Sequence, residues 1–384
     1  MRKNLNKLAT LALSGMMVMS MAVPAFAAQV EVPFYKTLHT DGNTYAPNAT
    51  FKFEVVAKTG NLTYNGKQYT GLTAAEGAVK VKDAVFTKDL GLGTPDAGGA
   101  SIKVPANIVV DEDKFTGGLG NYFFTMTEKD EGYEGIRYSK AEYTIVVTKS
   151  EENGKAKFTT TVQREGNGLF ETTKPGEIQN NYGKHFPPET PDFPDPKKPT
   201  PENPNPDPNP KNDTTHDVTV KKRIKGGFAN TSRSFTFAVT VESQDRKNER
   251  YKVEVLDKNG AVTETTFVDD RQGKDFSVSQ DSGLRIYGLT EHDLVKVHET
   301  DGDDYVMTVD PKEDNSFIKN IVKPNNNFKT QFNVVKDKAN FDVINTKEAV
   351  TPTGIVMNVA PYAMMLAVAG GLGVVFMNRK KEEE

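Results

Sequence analysis

The sequence predicts an all-β protein made of two β-sandwich domains in tandem. Three observations carry this. Apolar and polar residues alternate with period two in runs rich in β-branched and aromatic side chains; Gly, Asn and Asp punctuate those runs; and no segment has a helical stripe longer than a couple of turns. Phe51, Phe53 and Val55 form one such run, Tyr143, Ile145 and Val147 a second, and Phe235, Phe237, Val239 and Val241 a third. Alternate positions of a strand share one face, so each run offers an apolar face to a core, as the strands of an immunoglobulin-like sandwich do.

The elements follow in chain order. Arg2, Lys3 and Lys7 precede an apolar stretch from Leu8 to Val23, and Ala25, Phe26 and Ala27 have the small-x-small form of a signal-peptidase site. Residues 1–27 therefore read as a signal peptide, with the mature chain starting near Ala28. The first domain takes residues 28–183. From Lys184 to Asn212 proline recurs every two or three residues, as in Asn203-Pro204-Asn205-Pro206-Asp207-Pro208. Such a run supports neither a ladder nor a helix, so residues 184–213 read as an extended, semi-rigid linker of about 3.1 Å per residue. The second domain takes residues 214–347. Residues 348–384 hold Thr-Pro-Thr-Gly at 351–354, an apolar run from Ile355 to Met377, then Arg379, Lys380, Lys381 and three glutamates. At 1.5 Å per residue that run reaches about 35 Å, enough for a hydrocarbon core of roughly 30 Å, and its basic flank marks the cytoplasmic side.

Composition narrows the function. The net charge of -4 and the interspersed lysines and acids describe a solvated surface and give no basic patch for nucleic acid. With no cysteine, disulfides are excluded, although export would permit them. The five histidines show no metal-ligand spacing, and no nucleophile elbow or phosphate-binding glycine loop is present, so no metal, cofactor or external enzymatic reaction is implied.

The two domains read as copies of one another. Val32, Phe34, Lys36 and Leu38 match Val218, Val220, Lys222 and Ile224, and each set precedes a Phe-x-Phe strand. Tyr122, Phe124, Met126 and Glu128 match Val295, Val297 and Glu299, while Ile178, Asn180 and Tyr182 match Phe341, Val343 and Asn345. Lys and Glu are separated by 92 and 77 residues, Glu and Asn by 52 and 46. Alternation places all six polar residues on apolar faces, pointing into a core. A lysine or carboxylate alone there costs several kcal/mol, so an ion pair capped by an asparagine is one reading. Chemistry is the other. A buried lysine that gives up its proton is a nucleophile, and a neighbouring glutamic acid that holds one can hydrogen-bond the asparagine carbonyl and shuttle protons as ammonia leaves. The product is an amide from lysine Nζ to the asparagine side-chain carbonyl carbon. Folding would supply the alignment, since well-oriented intramolecular groups show effective molarities of about 10⁵ M or more. Loops of about 145 and 124 residues would be closed, and closures near 100 residues are worth roughly 4.7 kcal/mol by the entropy model.

This Lys–Glu–Asn pattern, present in both domains and followed by the sorting tail, resembles the pilin isopeptide-linkage domains of streptococcal T-antigen-type backbone pilins. The resemblance implies that Lys36 and Lys222 are the bond-forming amines, Asn180 and Asn345 their amide partners, and Glu128 and Glu299 the catalytic acids, with Asn181 disfavoured against Asn180 by strand parity. Thr-Pro-Thr-Gly ahead of a basic-tailed apolar segment likewise resembles a sortase sorting signal of Gram-positive bacteria. Thr351 stands where the commonest Leu-Pro-x-Thr-Gly form has proline, and the segment is closer to the x-Val-Pro-Thr-Gly signals of some pilus shafts. The resemblance implies cleavage between Thr353 and Gly354 and joining of the Thr353 carboxyl to a lysine of the next subunit. Lys174, near the end of the first domain, is the candidate, with Lys184 as a competitor. The implied function is a structural pilin shaft subunit, stabilised by its own amides, assembled by sortase with other pilin subunits and linked to peptidoglycan at the cell surface; the membrane is a partner only through the C-terminal segment before sorting. The alternative is a wall-anchored adhesin that uses the same domains as a stalk.

Overall fold

A computed structural model describes residues 29–348 apart from 65–66, 97, 167–168, 171–175, 184–214, 245, 291, 303, 312–320, 323–327 and 334–338. The described residues are almost entirely strand. Two short 3₁₀ turns, Lys88–Leu90 and Glu112–Lys114, interrupt them, and no α-helix occurs among them. Contacts divide the chain into two units between Thr215 and His216. Thr215 belongs to the first unit because it is buried there, its hydroxyl 3.3 Å from that of Thr44.

Unit 1 has two five-stranded sheets. One runs in the order Ile136–Arg137, Glu177–Tyr182, Tyr35–Thr40, Gly99–Pro105, Thr94–Asp96; the other runs Leu169–Phe170, Lys155–Gly166, Glu142–Glu152, Gly120–Glu128, Phe53–Lys58. Phe34, Leu38, Phe51, Tyr122 and Met126, each at most 1% exposed, lie in its core. A three-stranded sheet of Gln29–Val32, Ile108–Asp111 and Val79–Val81 and a hairpin of Gly60–Tyr64 with Lys67–Gly71 are additions that the alternation pattern did not reveal.

Unit 2 packs a six-stranded sheet, in the order Val262–Asp269, Arg250–Leu256, Gly283–Leu289, His216–Lys225, Ala339–Thr346, Val306–Pro311, with a five-stranded one, Lys274–Val278, Phe235–Glu242, Leu294–Glu299, Phe328–Asn333, Ile321–Val322. Phe235, Phe237, Val239 and Val241 are all fully buried while the residues between them are half-buried, which is the period-two expectation met.

The two units share a topology. In each, the lysine strand (Tyr35–Thr40 or His216–Lys225) lies between an antiparallel neighbour and the asparagine strand (Glu177–Tyr182 or Ala339–Thr346), which runs parallel to it. The glutamate ends a strand of the other sheet, next to Phe235–Glu242 in unit 2 and next to Phe53–Lys58 in unit 1, where the expected Phe51-x-Phe53 strand is broken and Phe51 pairs with Ala84 in a separate two-stranded sheet. The expected lysine strand of unit 1 needs correction too. Val32 and Phe34 do not share a strand with Lys36 and Leu38: Gln29–Val32 pairs with Ile108–Asp111 in a separate sheet, and Tyr35–Thr40 starts afresh. Pro33 stands at the break, where its missing N–H cannot continue a ladder. His216–Lys225 has no proline and runs unbroken apart from one register shift.

Candidate functional site

Strand register brings the predicted residues together. Lys36 stands opposite Ile178, and Leu38 opposite Asn180; Lys222 stands opposite Val343, and Ile224 opposite Asn345. In both units the asparagine is therefore two residues beyond the lysine's partner, which puts the two side chains on the same face of adjacent parallel strands. From the facing sheet, Glu128 and Glu299 reach across the core. Lys36, Asn180, Lys222 and Asn345 are 0% exposed, and the two glutamate side chains 1% and 0%.

Lys36 Nζ lies 2.7 Å from Glu128 Oε1, close enough for an ion pair but poorly aligned for a hydrogen bond. Its other neighbour is the ring of Phe51, 4.9 Å away. Lys222 Nζ donates to Glu299 Oε2 at 2.5 Å and sits 4.2 Å from the ring centre of Phe235. Burial pulls both ammonium groups down to about 8, against the opposing pull of the adjacent carboxylate. An aromatic face attracts a cation yet accepts no strong hydrogen bond, so it does not restore the lost hydration. A neutral amine is therefore far more accessible to these lysines than to one in water.

The asparagine is held by the same acid. Asn180 Nδ2 donates to Glu128 Oε1 at 3.0 Å, the oxygen that Lys36 approaches, and Asn345 Nδ2 donates to Glu299 Oε1. The leaving nitrogen and the attacking nitrogen thus converge on one carboxyl group in each unit. Around this shared core the units differ. The backbone N–H of Ser139 donates to Glu128 Oε2 at 3.0 Å and to Asn180 Oδ1 at 3.1 Å. In unit 2 no hydrogen-bond donor reaches Asn345 Oδ1 among the described residues. The backbone of Gly302 closes that cluster instead: a Cβ there would fall 2.4 Å from Glu299 Oε1, 2.8 Å from Met307 Sδ and 3.3 Å from Asn345 Nδ2.

Sequence reasoning missed Ser139 and Gly302. The first acts through a backbone N–H, which leaves no signal in residue type, and the second is one glycine among 31. The two phenylalanines were visible as Phe-x-Phe strands without being linked to the lysines. Asn181 is buried opposite His39, one position out of phase with Asn180. Lys174, Lys184, Thr353 and Gly354, together with the signal peptide, the proline-rich linker and the sorting tail, lie outside the described residues. A further buried group in unit 2, Arg246 with Asp293 and Glu249, ties loops together: Arg246 Nη2 donates to Asp293 Oδ2 and to the Gly288 carbonyl, while burial pushes the Asp293 carboxyl up. Among the described residues no cluster of His, Cys, Asp or Glu has the makings of a metal site.

Residues 216–347 match a family described as a domain of unknown function, DUF7601. Over 348 residues the chain is 24% identical to a pilin of Streptococcus pyogenes serotype M1, covering 88% of this chain and 87% of that protein. Among solved structures it is similar to the major pilin from Streptococcus pyogenes, with a TM-score of 0.50, 17% identity and coverage of 83% of this chain and 100% of that chain. A mutant of that pilin gives a TM-score of 0.52 at 17% identity, with coverage of 83% and 100%. At these identities the structural likeness establishes the all-β tandem fold.

Proposed function

We propose that this chain is a structural pilin subunit of a Gram-positive cell surface, a shaft component whose two sandwiches each form an internal Lys–Asn amide and which sortase joins through Thr353 to the next subunit and finally to peptidoglycan. One observation carries the reading: two buried Lys–Glu–Asn clusters occur at the same strand register in two units of one topology. Similarity along most of the chain to a streptococcal pilin supports it.

The chemistry follows from the contacts. Proton transfer across the Lys–Glu contact gives a neutral amine and a carboxylic acid. The amine attacks Cγ of the asparagine, making a tetrahedral carbon with negative charge on Oδ1. A proton moves from Nζ to Nδ2 by way of the carboxyl group, the Cγ–Nδ2 bond breaks, ammonia leaves and the glutamic acid keeps one proton. Each reaction happens once per domain, so the protein acts on itself and on no external substrate. No cofactor is required.

The topology gives the bond its use. Because the lysine strand near the start of each domain and the asparagine strand near its end are parallel neighbours, the chain enters at one end of the pair and leaves at the other, and tension shears that strand pair. An amide between them would take the load before the backbone hydrogen bonds do.

Intact-mass measurement of the purified folded protein tests this: it should be lighter than its sequence by two ammonia molecules, and a digest should contain peptides joining Lys36 to Asn180 and Lys222 to Asn345. A mass equal to that of the sequence would overturn the crosslinks. A sortase-dependent ladder of high-mass species from cell walls is expected for a shaft; a single released band would overturn polymerisation.

A further inference from the structure

The two clusters bury their lysines alike and present their asparagine carbonyls differently. Lys36 and Lys222 are both fully buried, both within reach of a glutamate and both lowered to about 8, so the attacking amines are alike in burial and charge, although only Lys222 has an aligned hydrogen bond to its acid. The difference lies at the carbon under attack. As the tetrahedral intermediate forms, Oδ1 changes from an amide oxygen to an oxyanion, and a donor already aimed at it gains strength in that state. In unit 1 the Ser139 N–H is 3.1 Å from Oδ1, in a site where Ser139 itself is 4% exposed and Asn180 0%. Its second acceptor, Glu128 Oε2, becomes a weaker competitor once the carboxyl group carries a proton, which frees the N–H for the oxyanion. In unit 2 Asn345 Oδ1 is equally buried and has no donor among the described residues. Gly302, which packs on that cluster, presents its Cα to Glu299 Oε1 and Asn345 Nδ2.

Resting on the crosslinking reading above, we propose that the backbone N–H of Ser139 is a catalytic oxyanion donor for the Lys36–Asn180 amide, that unit 2 has no counterpart among its described residues, and that the two amides of one chain consequently form at different rates, unit 1 first. The bonds made and broken are those already given: Nζ–Cγ forms, Cγ–Nδ2 breaks, and ammonia leaves. Ser139 keeps its proton throughout and only stabilises the charge on Oδ1. Unit 2 has a compensating feature of its own. Lys222 and Asn345 occupy different oxygens of Glu299, so a proton taken on Oε2 and one delivered from Oε1 need no movement of the carboxyl group. If that relay outweighed the oxyanion donor, unit 2 would be the faster.

The full chain, recovered unlinked from inclusion bodies in denaturant, is refolded and sampled over time, and the two crosslinked peptides are quantified in digests. The Lys36–Asn180 peptide is expected to accumulate about tenfold faster or more, by comparison with the loss on removing one oxyanion donor elsewhere. Equal rates, or unit 2 ahead, would overturn the proposal. If neither peptide forms, the crosslinking reading itself fails. Ser139→Pro removes the N–H and should slow unit 1 to the pace of unit 2, with unit 2 of the same molecule as internal control; an unchanged unit 1 rate overturns the proposal. Ser139→Ala keeps the N–H and should keep the rate. A slow Ser139→Ala chain would assign the effect to the hydroxyl, which accepts from Ala141 N at 3.2 Å, and would also overturn it.

Discussion

Unit 1 and unit 2 place the same three buried side-chain types on one topology with different surroundings. In unit 1 the acid is gathered onto a single oxygen, with Lys36 and Asn180 both at Oε1 while Ser139 holds Oε2. In unit 2 the acid is spread, with Lys222 at Oε2 and Asn345 at Oε1, and Gly302 packs against Glu299 Oε1 and Asn345 Nδ2. What the two share, a buried lysine and an asparagine two residues past its strand partner, is what the proposed reaction requires. What differs is how the carbonyl and the proton are handled. The same holds for the lysine strands: Pro33 breaks the approach to Lys36, whereas the strand carrying Lys222 runs through its unit without proline.

The largest effect should come from removing one acid at a time. Glu128→Ala is expected to abolish ammonia loss in unit 1 and leave it intact in unit 2, and Glu299→Ala the reverse, read by peptide mass. Each leaves a buried lysine without its partner, a change that typically costs about 3–5 kcal/mol, so the melting transition of the affected unit should fall as well. Loss of both amides from either variant would break the comparison, because it would mean that the clusters are not independent.

Gly302→Ala comes next. The added methyl meets Glu299 Oε1 and Met307 Sδ at distances no relaxed structure keeps, so the carboxyl group must move; overpacking of this kind costs about 1–3 kcal/mol. Formation of the Lys222–Asn345 amide should slow while unit 1 is untouched. An unchanged rate in unit 2 would show that the position of the acid is not critical there.

The dependence on pH sharpens the shared part. The reactive state, neutral amine with protonated acid, holds the same number of protons as the ion pair, so the rate should be level below the point at which the pair loses that proton, about 8, and fall roughly tenfold per pH unit above it. A rate that climbs above pH 8 would show that only the free amine matters and that the acid need not carry a proton. Stability of the unlinked precursor goes the other way. Its unfolded lysines keep their protons to about 10.4, while the folded ones lose theirs near 8, so folding binds fewer protons in that window and stability rises with pH across it.

The smallest effect concerns the outer face of the lysine–asparagine strand pair. In unit 1 Glu177 accepts from Thr37 at 2.8 Å and pairs with Lys103 at 2.8 Å, fastening three strands; in unit 2 Arg223 bonds Asp342 at 2.9 Å and also pairs with Asp281. These partly exposed contacts are each worth at most about 1 kcal/mol. Glu177→Gln should lower stability by no more than that in chemical denaturation and leave the amide yield unchanged. A fall in yield would make the outer contacts part of the alignment.

Much of the site was legible because strand parity is a strict rule. Lysine, glutamate and asparagine on apolar faces, repeated in order, leave only burial together or an error in phase, and the residues Lys36, Glu128, Asn180, Lys222, Glu299 and Asn345 do lie together in the core. The small sheets of unit 1 were not legible, since strands of two to five residues carry too few alternations to register against turns. Nor was the break at Pro33, because Val32, Phe34, Lys36 and Leu38 keep their phase across it.

From sequence alone came the all-β class, the duplication and the six residues that meet, because side-chain periodicity is a local property that any window of the chain records. The parallel pairing that sets each asparagine two places beyond its lysine's partner, the choice of carboxyl oxygen, and the Ser139 N–H on one carbonyl against no donor on the other among the described residues were decided only in three dimensions. These depend on backbone groups and on distances between residues 41 to 52 positions apart, and residue type does not encode where a backbone N–H will point.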